Sequence, residues 1–182
     1  MKILAIVGSP RLKGNTNYLV DEALGEAAKL GAQTEKLILS QYEVSPCIGC
    51  DNCASLDSCL LKDDAEWILD KFCEADGIIL ATPVYYYNVS AQMKAFIDRN
   101  YFLYKHDRKY GATAVGIIVV ADTEGILDTV YTLKQFIDEL DVEGDRIFIA
   151  CGYANRPGEV KSNLPLVEEA RKLGRQMAGE KR

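Results

Sequence analysis

Short apolar runs alternate along the chain with stretches in which apolar residues recur every three or four positions. KILAIV (2–7) is a compact apolar run closed by Gly8, and Leu19, Val20, Ala23, Leu24 and Ala27 then place one stripe on a helix over 16–30. TEKLILS (34–40) predicts a second strand, and DDAEWILDKFCEA (63–75) a helix whose opening acids suit its N-terminus. GIILAT (77–82), bounded by Pro83, predicts a third strand, and SAQMKAFIDRN (90–100) a helix. TAVGIIVVA (113–121) is apolar throughout, as expected of a fourth strand covered on both faces. Leu127, Val130, Leu133, Phe136, Ile137 and Leu140 mark a helix over 125–140, RIFIACG (146–152) a fifth strand, and 163–178 a last helix.

Five β-α units predict a parallel sheet with helices on both faces, because parallel strands need crossover connections. Right-handed crossovers leave few topologies. The expected one is α/β, a flavodoxin-like three-layer sandwich with a five-stranded parallel sheet of order 2-1-3-4-5. Ligands of such a sheet bind beyond the carboxyl ends of the strands, where strands 1 and 3 diverge. The loops after strands 1, 3 and 4 therefore carry the expected chemistry.

The 182 residues, with 48% hydrophobic and 26% charged content, suit one domain spanning 1–182 with a cysteine-rich loop at 46–60. No apolar run approaches the roughly 20 residues of a membrane span. MKILAIVGSP reads as a buried first strand rather than a signal peptide, so a cytoplasmic location and no membrane partner are expected. A formal charge of -6 opposes nucleic-acid binding, and KHDRK (105–109) reads as a solvated basic loop.

The loop after the first strand is GSPRLKGNT (8–16), running into a helix. Backbone N–H groups at a helix N-terminus favour an anion. Ser9 and Thr16 add hydroxyls, Asn15 an amide, and Arg11 a guanidinium that can grip a phosphate with two bonds. It is not a Walker loop: five residues separate Gly8 from Gly14, and Asn15 stands where lysine should. It also lacks the G-x-G-x-x-G of dinucleotide sites. Capping and turning alone would explain Ser, Asn and Thr, but would leave Arg11 without a role. The loop after the third strand begins TPVYYYN (82–88). There Tyr85, Tyr86 and Tyr87 could lie against a planar heterocycle, one or two of them at the ring, with Asn88 and main-chain N–H groups at its polar edge, the other reading being a strand end or subunit contact.

GSPR-x2-GNT and TPVYYYNVSAQMKAFIDR (82–99) together resemble the NADPH-dependent FMN reductase family of flavodoxin-like proteins. The resemblance implies FMN, with its phosphate held by Ser9, Arg11, Asn15 and Thr16 and its ring beside Pro83, Val84, Tyr85, Tyr86 and Asn88. It also implies that the loop after strand 4, ADTEG (121–125), approaches the ring through Asp122 and Thr123, although Asp122 and Glu124 replace a glycine-rich pattern.

Residues 47–59, CIGCDNCASLDSC, set four cysteines at C-x2-C-x2-C-x5-C. In a reducing compartment such thiols more often bind metal or carry redox chemistry than form structural disulfides. Iron–sulfur clusters take four cysteines, often three at this short spacing, with Gly49 allowing a tight turn and Pro46 stiffening the approach. Structural zinc usually pairs two knuckles across a longer gap, which fits less well. Disulfide switching and free surface thiols complete the alternatives. The motif resembles the iron-sulfur flavoprotein branch of the same family, which implies a [4Fe-4S] cluster on Cys47, Cys50, Cys53 and Cys59. Cys73 and Cys151, in a helix and a strand, read as small buried residues.

The function expected is that of an FMN-dependent oxidoreductase passing electrons between a [4Fe-4S] cluster and FMN. Its donor would be ferredoxin or NAD(P)H, its acceptor a small molecule, and its assembly a homodimer or homotetramer. The alternatives are an NAD(P)H-dependent FMN or quinone reductase without a cluster, and a non-enzymatic flavodoxin-like carrier or thiol sensor. His106, the sole histidine, reads as solvent-exposed, and the pairs Asp63–Asp64 and Glu168–Glu169 as helix-surface acids. Residues 100–112 fit either a cover over the flavin or a subunit contact.

Overall fold

The structure, a computed structural model, describes residues 1–142 and 144–179. Strands β1 (Lys2–Val7), β2 (Gln33–Ile38), β3 (Gly77–Pro83), β4 (Ala114–Ala121) and β5 (Ile147–Tyr153) form one parallel sheet in the order 2-1-3-4-5. The helices are α1 (Asn15–Lys29), α2 (Ala65–Glu74), α3 (Ala91–Arg99), α4 (Tyr101–Lys105), α5 (Ile126–Asp138) and α6 (Leu164–Met177). This is the flavodoxin-like arrangement expected from the alternation of apolar runs.

The two-residue period of each strand sorts its side chains into two cores. Leu4, Ile6, Ile78, Leu80, Val115 and Ile117 join Ile68 of α2, Met93 and Phe96 of α3, Phe102 and Leu103 of α4 and Leu133 of α5. Ile3, Ala5, Val7, Ile79 and Ile118 pack instead on Leu19 and Val20 of α1 and Leu173 of α6. Every position of β4 is buried, as its uniform apolarity predicts. Because α1 crosses on one face and α3 on the other, the chain diverges after β1 and β3 and leaves a crevice there.

Three boundaries differ from expectation, each for a tertiary reason. β2 stops at Ile38 because its partner β1 stops at Val7, and Leu39–Gln41 closes into a short 3₁₀ turn. α2 begins at Ala65 rather than 63, since Asp63 and Asp64 are used outside the helix. Residues 101–105, within a segment for which no regular element was expected, form α4, and its Tyr101 bonds Asp51 of the cysteine loop.

Candidate functional site

The first wall of the crevice is the β1–α1 loop. A Cβ on Gly8 would lie 2.7 Å from Ser90 Oγ and 2.8 Å from Met93 Cβ, so glycine lets the first turn of α3 close on the end of β1. Ser90 caps α3 by accepting from Met93 N at 3.2 Å, and its hydroxyl donates to Gly8 O at 2.7 Å, joining the two loops. Arg11 is fixed through its backbone. Its N–H donates to Ser9 Oγ at 3.3 Å, and its carbonyl accepts from Gly14 N at 2.9 Å and Asn17 Nδ2 at 3.0 Å.

The guanidinium of Arg11 and the hydroxyl of Thr16 have no hydrogen-bond partner among the described residues. Gly14, at the N-cap of α1, offers no side-chain cap, so the first N–H groups of the helix are left for an anion. Asn15 is engaged differently. Its Nδ2 donates to the carbonyls of Ala154 (3.3 Å) and Arg156 (2.9 Å), while its Oδ1 accepts from Gly158 N (2.8 Å) and Val160 N (3.4 Å). The Asn15 side chain thus staples the loop after β5 against α1, and its main-chain N–H is what it has left to offer a ligand.

The second wall is the β3–α3 loop. Val84 N extends the sheet by donating to Val120 O at 2.9 Å. Tyr85 and Asn88 exchange backbone hydrogen bonds of 2.9 and 3.2 Å around Tyr86 and Tyr87, whose φ angles are +47° and +66°. Two positive φ values in succession make a type I′ turn, a place for Asn-Gly rather than two bulky aromatics. Such strain concentrates at ligand sites. Gly125 of the β4–α5 loop, at φ +85°, packs directly beneath: a Cβ there would lie 2.7 Å from Tyr87 Cα.

These walls enclose a cavity of about 590 Å³ lined by Ser9, Arg11, Gly14, Asn15, Thr16, Pro83, Val84, Tyr85, Tyr86, Val120, Ala121, Asp122, Ala154 and Asn155. Nine of the eleven residues expected at the cofactor are in that lining. Asn88 and Thr123 are not, and Asn88 Oδ1 is occupied by Val89 N at 2.7 Å. The sequence reading missed Asn17 and the β5–α6 loop, which supplies Ala154 and Asn155. The signal for that loop is its position: it too leaves the carboxyl end of a strand. Glu159 shapes it by accepting from Asn155 N (2.8 Å) and Arg156 N (2.7 Å), bonds that hold the Glu159 carboxyl below its ordinary range. A second cavity, about 810 Å³ and bordered by Tyr101, Tyr110, Thr113 and Phe136, opens at the amino ends of the strands and contains none of the expected residues.

The cysteine loop lies elsewhere. None of its residues lines the 590 Å³ cavity. Gly49 (φ +63°) and Asp51 (φ +51°) turn it, Cys53 is buried, Cys50 and Cys59 are half-buried and Cys47 is exposed. Burial pushes the Cys53 thiol up, and Cys59, Cys50 and Cys47 add to that shift. α4 holds the loop from below: Tyr101 Oη donates to Asp51 Oδ1 at 3.0 Å, and Lys105 lies 3.8 Å from the same oxygen. His106 is not the solvent-exposed group expected; its Nε2 sits 2.9 Å from Cys53 O and its ring lies 4.3 Å from that of Phe102.

Asp63 likewise departs from the surface role expected of it. It forms a 2.6 Å ion pair with Arg99, the two side chains only 4% and 2% exposed. Burial would raise the Asp63 carboxyl, but bonds from Arg99, Ser45 N and Ala65 N together with the Arg99 charge hold it below its ordinary range. Among the described residues, no three Cys, His, Asp or Glu side chains are gathered to hold a metal ion. The donor set is nonetheless all sulfur, four thiols on one segment, which is the chemistry an iron–sulfur cluster requires.

A doubly wound sheet with an anion-receptive helix end, an unpaired arginine and an aromatic turn around one crevice defines a flavin-dependent oxidoreductase of the flavodoxin-like class. The model of the NADPH-dependent FMN reductase family matches residues 1–143, and the chain belongs to that family. It is 39% identical to an iron-sulfur flavoprotein of Methanocaldococcus jannaschii, across 98% of this chain and 96% of that one. It is 34% identical to an iron-sulfur flavoprotein of Archaeoglobus fulgidus, across 98% of this chain and 79% of the relative. Among solved structures, an NAD(P)H:quinone oxidoreductase from Methanothermobacter marburgensis shares the fold with a TM-score of 0.74 at 15% identity, covering 97% of this chain and 98% of that one. Among the described residues, no helix is long and apolar enough to cross a membrane.

Proposed function

We propose that the chain is an FMN-dependent electron-transfer enzyme whose cysteine loop carries a [4Fe-4S] cluster and exchanges electrons with FMN. The observation that carries the flavin half is the 590 Å³ cavity, which joins an unpaired Arg11, the uncapped start of α1 and the Tyr85–Tyr86 turn. Arg11, Ser9, Thr16 and the first N–H groups of α1 would hold the phosphate, the Asn15 side chain keeping the β5–α6 loop in place behind it. Pro83, Val84, Tyr85, Tyr86 and Asp122 would flank the ring. Asn88 and Thr123, outside the lining, would act by shaping their turns. Bound FMN supplies a ring that accepts electrons in pairs or singly, while a cluster on Cys47, Cys50, Cys53 and Cys59 supplies single electrons. The all-sulfur donor set and the two iron-sulfur flavoprotein relatives support the cluster.

The donor would be a reduced ferredoxin or NAD(P)H, and the acceptor a small molecule reaching the ring past the exposed Tyr86. Anaerobic purification followed by flavin, iron and sulfide assays tests the reading. The expected result is one FMN with about four irons and four sulfides per chain. Stoichiometric zinc, or protein that is colourless and refuses added FMN, would overturn it. A second reading, an NAD(P)H-dependent FMN or quinone reductase with spectator cysteines, is favoured by the family match. Rapid anaerobic bleaching by NADPH alone, in protein free of iron, would select it.

A further inference from the structure

Asn17 stands in the first turn of α1 and is only 1% exposed, a burial at which an amide needs partners. Its Nδ2 donates to Arg11 O at 3.0 Å, whereas among the described residues its Oδ1 is buried with no partner. The Arg11 carbonyl can only accept, so it fixes the amide with the nitrogen toward the loop. The same carbonyl accepts from Gly14 N at 2.9 Å, closing a turn over Arg11–Gly14. That turn is tight: a Cβ on Gly14 would lie 3.0 Å from both Arg11 Cβ and Arg11 O. Arg11 is therefore held at its N–H by Ser9 Oγ and at its carbonyl by Gly14 and Asn17, while its side chain is exposed. On the helix side, Tyr18 N donates to Gly14 O at 3.1 Å, and the N–H groups of Asn15 and Thr16 at the cavity wall have no partner among the described residues.

Two kinds of anion donor thus meet at the start of α1, a guanidinium carried by a turn and free N–H groups at a helix end. The Asn17 amide is the side-chain bond that ties the turn to the helix, across six residues. It comes at a cost to the fold. A buried carbonyl oxygen without a partner is unfavourable, and leucine has nearly the same shape without that oxygen. Leucine is also the better helix former. What the amide adds in exchange is a fixed separation between the Arg11 turn and the end of α1. Donors held at the right spacing beforehand need not be ordered when the ligand arrives, which strengthens binding.

We infer that Asn17 is a positioning residue for the flavin phosphate, holding the Arg11 turn so that the guanidinium and the free N–H groups of α1 converge on one anion. Asn17 is not part of the cavity lining and acts through Arg11. Its role rests on the proposed reading of the cavity as an FMN site, and it separates the groups that would touch the phosphate from the one that sets their spacing.

Flavin-free wild type, Asn17→Leu and Asn17→Ala are titrated with FMN and with riboflavin, which lacks the phosphate, and flavin fluorescence is followed. Asn17→Ala keeps the test valid if leucine does not fit. Both variants are expected to bind FMN about 5-fold more weakly, as for the loss of one ordinary hydrogen bond, and to bind riboflavin as wild type does. Asn17→Leu is expected to unfold at no lower a denaturant concentration than wild type, because the buried oxygen without a partner is gone. The FMN titration is repeated in an Arg11→Met background, where Asn17→Leu should no longer change the affinity. Folded variants with wild-type FMN affinity, equal weakening toward FMN and riboflavin, or the same loss in the Arg11→Met background would each overturn the role of Asn17 and leave the FMN reading intact. Wild-type protein that binds no FMN would overturn that reading and the role with it, so the two failures are distinguishable.

Discussion

Tyr86 occupies a left-handed backbone position at φ +47° while its side chain is 99% exposed. A left-handed residue with a Cβ costs roughly 1–2 kcal/mol, and here no packing offsets it. Tyr86→Gly would relieve that strain at an entropic cost of roughly 0.5–1 kcal/mol. The flavin-free variant is therefore expected to unfold at a slightly higher denaturant concentration than wild type, by up to about 1 kcal/mol. The same variant is expected to bind FMN more weakly in a fluorescence titration, since Tyr86 lines the cavity. A variant less stable without flavin would show that the turn is not strained. Asp63 gives a second residue-scale prediction, in pH. Its carboxyl is depressed in the fold, so its contribution to stability is full above the unfolded value of about 3.9 and is lost as pH falls through the folded value. Asp63→Asn at neutral pH leaves Arg99 buried without its counter-ion, a loss on the order of 3–5 kcal/mol. Melting curves across pH should show the gap between wild type and Asp63→Asn closing only below about pH 4. A gap that closes near neutrality would exclude this carboxylate as its source.

α1 and α6 approach so closely that a Cβ on Gly174 would lie 1.9 Å from Ala23 O. Helix propensity alone favours Gly174→Ala by about 1 kcal/mol, whereas overpacking costs typically about 1–3 kcal/mol. At 1.9 Å from a backbone atom that cannot rotate away, packing decides the sign, and chemical denaturation should show a destabilised Gly174→Ala. Such a contact is invisible in sequence, where Gly174 is only a weak point in an otherwise regular helix. The five strands were legible because short apolar or β-branched runs such as TAVGIIVVA alternate with longer stretches of helical period. α4 was not: five residues are too few for a helical period to emerge, and the element is fixed by tertiary bonds to Asp51 and Cys53 O. The candidate site divides the same way. Ser9, Arg11 and Thr16 announce themselves by residue type in a strand–loop–helix. What Asn15 does with its amide depends on a loop more than a hundred residues away, as does the presence of Asn155 in the cavity. Asp63 was misjudged because a helix-opening acid looks the same in sequence whether it faces water or a buried arginine.

Across the whole molecule, the flavin cavity and the cysteine loop occupy separate places. The cavity is bounded by loops leaving β1, β3, β4 and β5, whereas the thiols follow β2 and rest on α3 and α4. On the proposed reading, electron exchange between them would be better served by a second copy of the chain, whose cysteine loop would approach this flavin. The surface beside the cavity suits such a contact. Leu127 (83% exposed) and Tyr131 (63%) stand one turn apart on the outer side of α5. Apolar side chains gathered this way on a protein surface mark interaction sites more often than isolated ones do. Sedimentation velocity is expected to show a dimer or tetramer, and Leu127→Glu combined with Tyr131→Glu to shift it toward single chains. Both side chains are exposed and contribute little to either core, so the double variant should keep the melting temperature that the isolated subunit permits. A wild type that sediments as single chains at micromolar concentration would remove the second copy from the electron path. On the proposed reading, the cluster and the flavin would then have to communicate within one chain.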